Sequence, residues 1–178
     1  RESVRDLRLH VNAGSATMLE QVASLCGPGD VTLRINPGFG EGHDEKVTTG
    51  GAHSKHGIWH EELPSVRTRA QELGLRVTGL HVHIGSGLEG RLVERTVESM
   101  DDAVALFADT VTRVSCGGGM SYPYRTTDEP FDMGRFVSLW LAGWDRWSAV
   151  AGRRLELEAE PGRLLVADAG VLVTEVCG

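Results

Sequence analysis

Residues able to bind anions, move protons or hold metals occur in four segments of this chain, in each case where a predicted apolar strand ends. Parallel α/β folds place their reactive groups at the carboxyl ends of strands, because those ends share one edge of the sheet. We therefore expect the four segments to meet, and their coincidence is more informative than any one of them. They are Arg34-Ile-Asn-Pro-Gly38, His81-Val-His-Ile-Gly-Ser86, Cys116-Gly-Gly-Gly119 and Glu160-Pro-Gly-Arg163.

The glycine- and arginine-containing ends suit an anion such as phosphate. Gly117, Gly118 and Gly119 leave backbone N–H groups bare past a strand, where they could cradle a phosphate or simply form a tight turn. Arg163 could clamp a phosphate or a carboxylate, or form a surface ion pair. Ser86 could donate to the same phosphate and could also cap the following helix.

Two histidines could carry metal or ligand chemistry. His81 and His83 alternate along a predicted strand and therefore share a face. The pattern is compatible with a metal site completed by His53 or His56 together with Glu160. It is equally compatible with one core histidine and one imidazole that faces a ligand.

Glu160 places one carboxylate at a predicted strand end. It could be a general base, a metal ligand or the partner of a protonated heterocycle. The plainer alternative is an ion pair with Arg34 or Arg163.

The elements that must position these residues alternate between β-branched apolar runs and amphipathic stretches. This alternation predicts α/β architecture with a parallel sheet, as a partial (β/α)8 TIM-type barrel of about five of eight units. Five units cannot close a barrel, so we expect a slice of a longer polypeptide that folds poorly when made alone. The predicted strands cover 7–12, 31–36, 75–84, 110–116, 154–160 and 169–176, and the predicted helices cover a segment capped by Ser15 and residues 61–73, 88–109 and 131–151.

Composition argues against several classes of function. No run of about 18 apolar residues is present, so no membrane-spanning helix is predicted. The net charge of −7 disfavours a nucleic-acid backbone as a partner. Cys26, Cys116 and Cys177 are odd in number, far apart and without metal-ligand spacing, which favours a reducing, cytoplasmic location.

At these motifs the chain resembles the barrel domain of the diaminopimelate decarboxylase family, which has the alanine-racemase-like fold of pyridoxal-phosphate enzymes. The resemblance runs through nearly the whole chain in the family's order, and the Ser54-Lys-His-Gly57 segment is similar to one bacterial branch. The matching stretches are residues 33–38, 49–59, 79–86, 117–119, 160–163 and 166–174.

The resemblance implies a pyridoxal 5'-phosphate site at the same strand ends, with His83 and Glu160 as its catalytic residues. His83 would stack on the pyridine ring, and Glu160 would pair with the ring nitrogen, where an opposite charge favours the protonated form. Arg34 would lie near the ring hydroxyl. The other residues implied to bind the cofactor are Gly85, Ser86, Gly117, Gly118, Gly119, Pro161, Gly162 and Arg163, and Arg163 is also implied to bind the substrate.

The activity implied for the full-length protein is decarboxylation of meso-diaminopimelate to L-lysine and carbon dioxide, in a homodimer with Lys55 near the interface. The family's Schiff-base lysine lies on an early strand, and neither Lys46 nor Lys55 has its sequence setting, so this chain is expected to be inactive alone. Residues 1–168 would form part of the cofactor-binding barrel, and residues 169–178 would begin a second β domain.

Three other functions stay open at this point. A sibling enzyme would decarboxylate ornithine, arginine or a carrier-bound acid instead. A degenerate homologue would regulate a partner without catalysis, although the joint presence of His83, Glu160 and the three glycines argues against it. A metal-dependent barrel hydrolase would use His81 and His83 as ligands.

Overall fold

A computed structural model of the chain describes residues 9–40, 50–51, 54–88 and 90–175. Within these residues the strands are β1 (Val11–Ala13), β2 (Gly29–Asn36), β3 (Ile58–Trp59), β4 (Leu75–Val82), β5 (Arg113–Ser115) and β6 (Glu156–Glu158). They form one sheet in the order β1-β2-β4-β5-β6, with β3 paired beside β2. Every pair of neighbours is parallel, which confirms the predicted sheet type.

Helices connect the strands and cover one face of this sheet. Ser15 caps the first helix as predicted, because its hydroxyl accepts from the Met18 N–H at 3.2 Å. No helix of the described ranges is long and apolar enough to cross a membrane. The helices are α1 (Ala16–Cys26), α2 (Leu63–Glu72), α3 (Gly90–Glu98), α4 (Asp101–Leu106), α5 (Met133–Ala151) and α6 (Arg163–Val166), and a 3-10 turn (His60–Glu62) precedes α2.

The two faces of the sheet differ in chemistry. On one face the strand side chains are apolar and fully buried against the helices, as Leu33 and Leu80 are. Each such burial contributes roughly 1.5–3 kcal/mol to folding. Because side chains alternate along a strand, the intervening residues point to the other face, and there they are mostly polar.

The strand register aligns these polar side chains into rows. One row, read across neighbouring strands, is Arg34, His81, Ser115 and Glu158. Two residues further along the chain, each strand contributes to the next row at the carboxyl edge of the sheet. That edge row is Asn36, His83, Gly117 and Glu160.

The loop after β2 is fixed by Asn36, which is buried. Its Nδ2 donates to the Gly51 carbonyl at 3.0 Å, and its Oδ1 accepts from the Gly51 and Gly38 N–H groups at 2.9 and 3.1 Å. The chain then returns at Gly57, where a Cβ would meet the Asn36 nitrogen at 2.9 Å. This close return produces β3, a two-residue strand too short to be predicted from alternation.

The single helix predicted over 88–109 is wrong, because α3 and α4 occupy this segment. At the break the Ser99 hydroxyl donates to the Thr96 carbonyl at 2.7 Å. The Met100 N–H donates to Val97, three residues back rather than four. A hydroxyl that bonds a main-chain carbonyl competes with the helical pattern, and the fully buried Met100 side chain anchors the turn.

The strand predicted over 169–176 is wrong in its described part. Residues 171–175 have no regular secondary structure, Val176 lies outside the described residues, and the unpredicted α6 precedes them. A strand is held by a hydrogen-bonded partner, and none of the described strands pairs with this segment. Its apolar side chains are therefore 86–94% exposed, at Val171, Leu172 and Val173.

The remaining predicted boundaries shift by a few residues. The first strand begins at Val11 rather than residue 7, and residues 1–8 lie outside the described part. The strands predicted over 110–116 and 154–160 shorten to β5 and β6, and the residues that follow these two strands lie at the carboxyl edge of the sheet.

Candidate functional site

The segments that follow β4, β5 and β6 come into direct contact. The Glu160 N–H donates to the Gly117 carbonyl at 2.7 Å, and the Gly118 N–H donates to Nδ1 of His83 at 3.0 Å. The Gly87 N–H donates to the Gly119 carbonyl at 2.9 Å. The predicted convergence of these strand ends is therefore found in the structure.

Residues 117–119 are glycines because three chain segments leave no room for a side chain. Gly117 and Gly119 also have φ angles of 62° and 95°, which side chains strongly disfavour. A Cβ at each of the three positions would overlap a main-chain carbonyl oxygen. Those oxygens belong to Val82, Glu160 and Gly85 in turn.

Two of the backbone N–H groups that the sequence analysis offered to an anion already donate hydrogen bonds within this structure. The Gly117 N–H donates to the Ser115 hydroxyl at 3.2 Å, and the Gly118 N–H donates to His83. An anion at this turn would therefore be bound by other donors.

Ser86 supplies one such donor. Its Cα lies 3.7 Å from the Cβ position of Gly119, and its hydroxyl has no hydrogen-bond partner among the described residues. The predicted helix cap is not formed, because α3 begins only at Gly90. Ser86 therefore presents its hydroxyl beside the glycine turn, next to the buried Gly85.

His83 is a neutral, half-buried imidazole. Burial lowers its pKa first, and the nearby Arg34 guanidinium lowers it further. Its Nδ1 accepts from Gly118, which places the ring hydrogen on Nε2. The backbone carbonyl of His83 accepts from Arg34 Nη2 at 3.4 Å, so Arg34 also lies at the site.

Glu160 carries the negative charge of the site. Its Oε1 lies 3.3 Å from Nε2 of His81 and 3.5 Å from the Ser115 hydroxyl. The Glu160 side chain is nevertheless 57% exposed, so these contacts hold one side of the carboxylate while the rest stays accessible. The ion pairs expected with Arg34 or Arg163 do not form within the described ranges, where His81 takes that place.

Arg34 is partly buried, and burial lowers its pKa while Glu160 partly offsets that effect. Its Nε has no hydrogen-bond partner among the described residues. A polar group left unpaired in this way favours binding of an acceptor, such as a phenolate or carboxylate oxygen.

The last segment leads into α6. Arg163 begins this helix, and its guanidinium makes no hydrogen bond or ion pair with a described residue. Gly162 has open space where a Cβ would stand, so crowding does not explain that glycine. Pro161 is half-buried between Gly162 and Glu160, and Lys55 is exposed.

Sequence reasoning missed the role of Ser115. Its hydroxyl contacts both Glu160 and the Gly117 N–H, at 3.5 and 3.2 Å. The signal was present, because Arg113, Ser115 and Gly117 alternate as same-face residues of one strand.

The described ranges contain no group of three or more His, Cys, Asp or Glu side chains that could hold a metal ion. His81 and His83 have parallel rings with centroids 6.5 Å apart. His53, one of the alternative ligands, lies outside the described residues.

We expect Cys116 to resist alkylation in the folded protein. Burial raises the pKa of its thiol to about 12, and its Sγ lies 3.0 Å from the Glu158 carbonyl oxygen. At pH 8 only about one such thiol in ten thousand is a thiolate. Peptide mapping after brief iodoacetamide treatment should show Cys26 modified and Cys116 intact until denaturant is added; equal labelling of both would contradict the buried placement.

Comparison with known proteins connects this geometry to a family. The family described as "Pyridoxal-dependent decarboxylase, pyridoxal binding domain" matches residues 2–167. Diaminopimelate decarboxylase of Escherichia coli (strain K12) is 42% identical over 98% of this chain, and that of Streptomyces coelicolor is 45% identical over 97%. The chain spans 42% and 39% of those two proteins.

A solved structure shares the fold. A crystal structure of diaminopimelate decarboxylase superimposes with a TM-score of 0.85 at 41% identity. The match covers 92% of this chain and 39% of that one. This match, together with the family match, confirms the predicted fold class, a partial (β/α)8 barrel built on the parallel sheet described above.

Proposed function

This chain belongs to the family of pyridoxal-dependent decarboxylases, as a pyridoxal-binding domain, and from that premise we propose that it forms the cofactor-binding part of a diaminopimelate decarboxylase. In this proposal the whole protein binds pyridoxal 5'-phosphate and converts meso-diaminopimelate to L-lysine and carbon dioxide. The chain described here corresponds to 42% of the length of the Escherichia coli relative.

The residues at the carboxyl edge fit this cofactor. The three glycines form a turn in which any side chain would overlap the backbone, and Ser86 and Arg163 carry donors without partners among the described residues. Such donors suit a phosphate. Glu160 and His83 supply an accessible carboxylate and a neutral ring beside the same turn, and these suit a flat, protonated heterocycle.

Glu160 is the observation that carries the proposal. A carboxylate near a ring nitrogen keeps that nitrogen protonated, because the opposite charge stabilises the cation. The bound cofactor supplies an electron sink for the pair of electrons left at Cα when carbon dioxide departs. The contacts from His81 and Ser115 hold the Glu160 carboxylate in place for this task.

The other residues orient and bind. His83, just after β4, would pack against the ring of the cofactor and favour reaction on one side of it. Arg34 would donate to the ring hydroxyl, and Ser86 and Arg163 would bind the phosphate. Arg163 also has the charge to meet a substrate carboxylate.

The domain division, assembly and location belong to the same proposal. Residues 1–168 form part of the barrel and 169–178 begin a second β domain, which the exposed apolar side chains of residues 171–173 support. The whole protein is a homodimer with Lys55 near the interface. Cys26 and Cys116 are unpaired thiols, which supports a reducing cytoplasm.

Assay of the full-length protein with added pyridoxal phosphate tests this function. Meso-diaminopimelate should yield equal amounts of L-lysine and carbon dioxide, and ornithine and arginine should yield little product. Preferential turnover of ornithine or arginine would replace the substrate and keep the reaction class. Absence of cofactor binding, or activity that requires zinc, would overturn the proposal.

Arg163→Lys separates the two anions that Arg163 can meet. Lysine keeps the charge but loses the planar fork that binds two oxygens. We expect the dissociation constant of pyridoxal phosphate to rise, by up to about 10- to 150-fold, because a hydrogen bond to a charged group is worth roughly 1.5–3 kcal/mol. The apparent substrate affinity at saturating cofactor should change little.

Titration of the apo-protein with pyridoxal phosphate measures this effect. Arg91→Lys is the matched control, because Arg91 is exposed on α3 and unpaired among the described residues. Unchanged cofactor binding combined with weakened substrate affinity would assign Arg163 to the substrate instead.

A further inference from the structure

We propose that His81 is a positioning residue whose Nε2–H donates to Glu160 and holds that carboxylate in place for the ring nitrogen of the cofactor. The inference rests on the proposed function, because it concerns the same carboxylate. It assigns a task to a residue that was a metal-ligand or core candidate from sequence.

The contact is fixed by the strand register. His81 lies in the row below the carboxyl edge, paired with Arg34 on one side and Ser115 on the other. From that row Nε2 reaches both carboxylate oxygens of Glu160, at 3.3 and 3.4 Å. The residue is only 4% exposed, so the imidazole has little freedom to turn away.

The protonation state of the His81 imidazole determines which hydrogen it can donate. Burial lowers the pKa of His81, and the charge of Arg34 also lowers it, although Glu160 opposes both effects. The imidazole is therefore neutral near pH 7, with one N–H. Nδ1 has no partner among the described residues, so the tautomer that satisfies Glu160 carries its hydrogen on Nε2.

A neutral donor suits this position better than a cation. It stabilises the Glu160 anion by a hydrogen bond without cancelling the charge that the ring nitrogen needs. Without that donor, the proton shared between the ring nitrogen and Glu160 would move toward the carboxylate. The result would be a neutral acid beside a neutral pyridine, which is a weaker electron sink.

His81 acts through Glu160 and not on the ring. His83 lies one row nearer the edge, and the centroids of the two imidazoles are 6.5 Å apart with parallel planes. Ser115 gives Glu160 a second, longer contact at 3.5 Å, so His81 is the shorter of the two side-chain supports.

The test uses full-length protein loaded with pyridoxal phosphate that carries ¹⁵N in its ring, because the ¹⁵N chemical shift reports protonation directly. Wild type should show a protonated nitrogen. His81→Leu should lower the ratio of protonated to unprotonated nitrogen by about 10-fold or more, the effect of losing a hydrogen bond to a charged group.

A second substitution at position 81 distinguishes hydrogen-bond donation by His81 from its contribution to packing. His81→Gln places an amide N–H near the Nε2 position and should restore most of the wild-type signal. His81→Asn carries the same amide on a shorter side chain and should therefore resemble His81→Leu. If circular dichroism shows that the leucine variant does not fold, the asparagine variant replaces it in the comparison. His10→Leu, at the amino end of the sheet where His10 contacts Thr32, is the control and should leave the signal unchanged.

The outcomes separate this inference from the proposed function. A wild-type protein that binds no pyridoxal phosphate overturns the proposed function. If the wild-type ring nitrogen is protonated and the glutamine and asparagine variants both give the wild-type ¹⁵N signal, only the role of His81 is overturned.

Discussion

Replacing Glu160 with glutamine in the full-length protein should lower kcat by about 100-fold or more and leave the cofactor bound. The amide keeps the size of the side chain and can still meet His81 and Ser115. It has no charge to hold the ring nitrogen protonated, so the electron sink weakens. The phosphate contacts lie on other residues, and cofactor affinity should therefore change by less than the rate.

Steady-state kinetics at saturating pyridoxal phosphate measure the effect. Glu156→Gln is the matched control, since Glu156 begins β6, is exposed and has no ion pair among the described residues. Its kcat should stay within a few-fold of wild type. Near-normal turnover of Glu160→Gln would show that Glu160 has only a structural task.

Gly119→Ala should weaken binding of pyridoxal phosphate by about 100-fold or more. The added Cβ would overlap the Gly85 carbonyl oxygen, and the φ of 95° is unfavourable for alanine. Strain and overlap of this kind cost about 3 kcal/mol when the surroundings cannot yield. The turn must then shift away from Ser86, whose Cα lies 3.7 Å from that Cβ position.

Fluorescence titration of the apo-protein reports this loss of affinity. Gly29→Ala is the control, because nothing lies within 4 Å of its Cβ position and its φ is not positive. It should bind the cofactor as wild type does. Tight binding by a folded Gly119→Ala would mean that the glycine turn does not hold the phosphate.

The position of the site could be predicted because chemically useful residues follow apolar runs at a regular interval. Glu160, His83 and the glycines each stand just past a strand, and parallel strands bring such ends to one edge. The contacts of residues 117–119 with His83 and Glu160 confirm that inference.

The side chains that contact Glu160 could not be predicted, because they depend on the pairing register of the strands. The sequence offered Arg34 or Arg163 as the ion partner of Glu160, whereas the sheet places His81 and Ser115 beside it. Strand alternation tells which side chains share a face. It does not tell which residues of two strands stand opposite each other.

The wrong helix and strand predictions have local causes. The helix over 88–109 breaks where Ser99 bonds to a carbonyl, an interaction that apolar periodicity does not reveal. The apolar run after Gly170 has the composition of a strand, but a strand also needs a neighbour to pair with. β3 depends on a close return at Gly57 that follows from tertiary contacts.

A crystal structure of the full-length protein with pyridoxal phosphate tests the central claim most directly. We predict that the phosphate lies against the turn at residues 117–119 with Ser86 and Arg163 as donors. The ring nitrogen should lie within hydrogen-bond distance of Glu160, and His83 should contact the ring face. A cofactor bound elsewhere, or one whose ring nitrogen faces away from Glu160, would contradict this account.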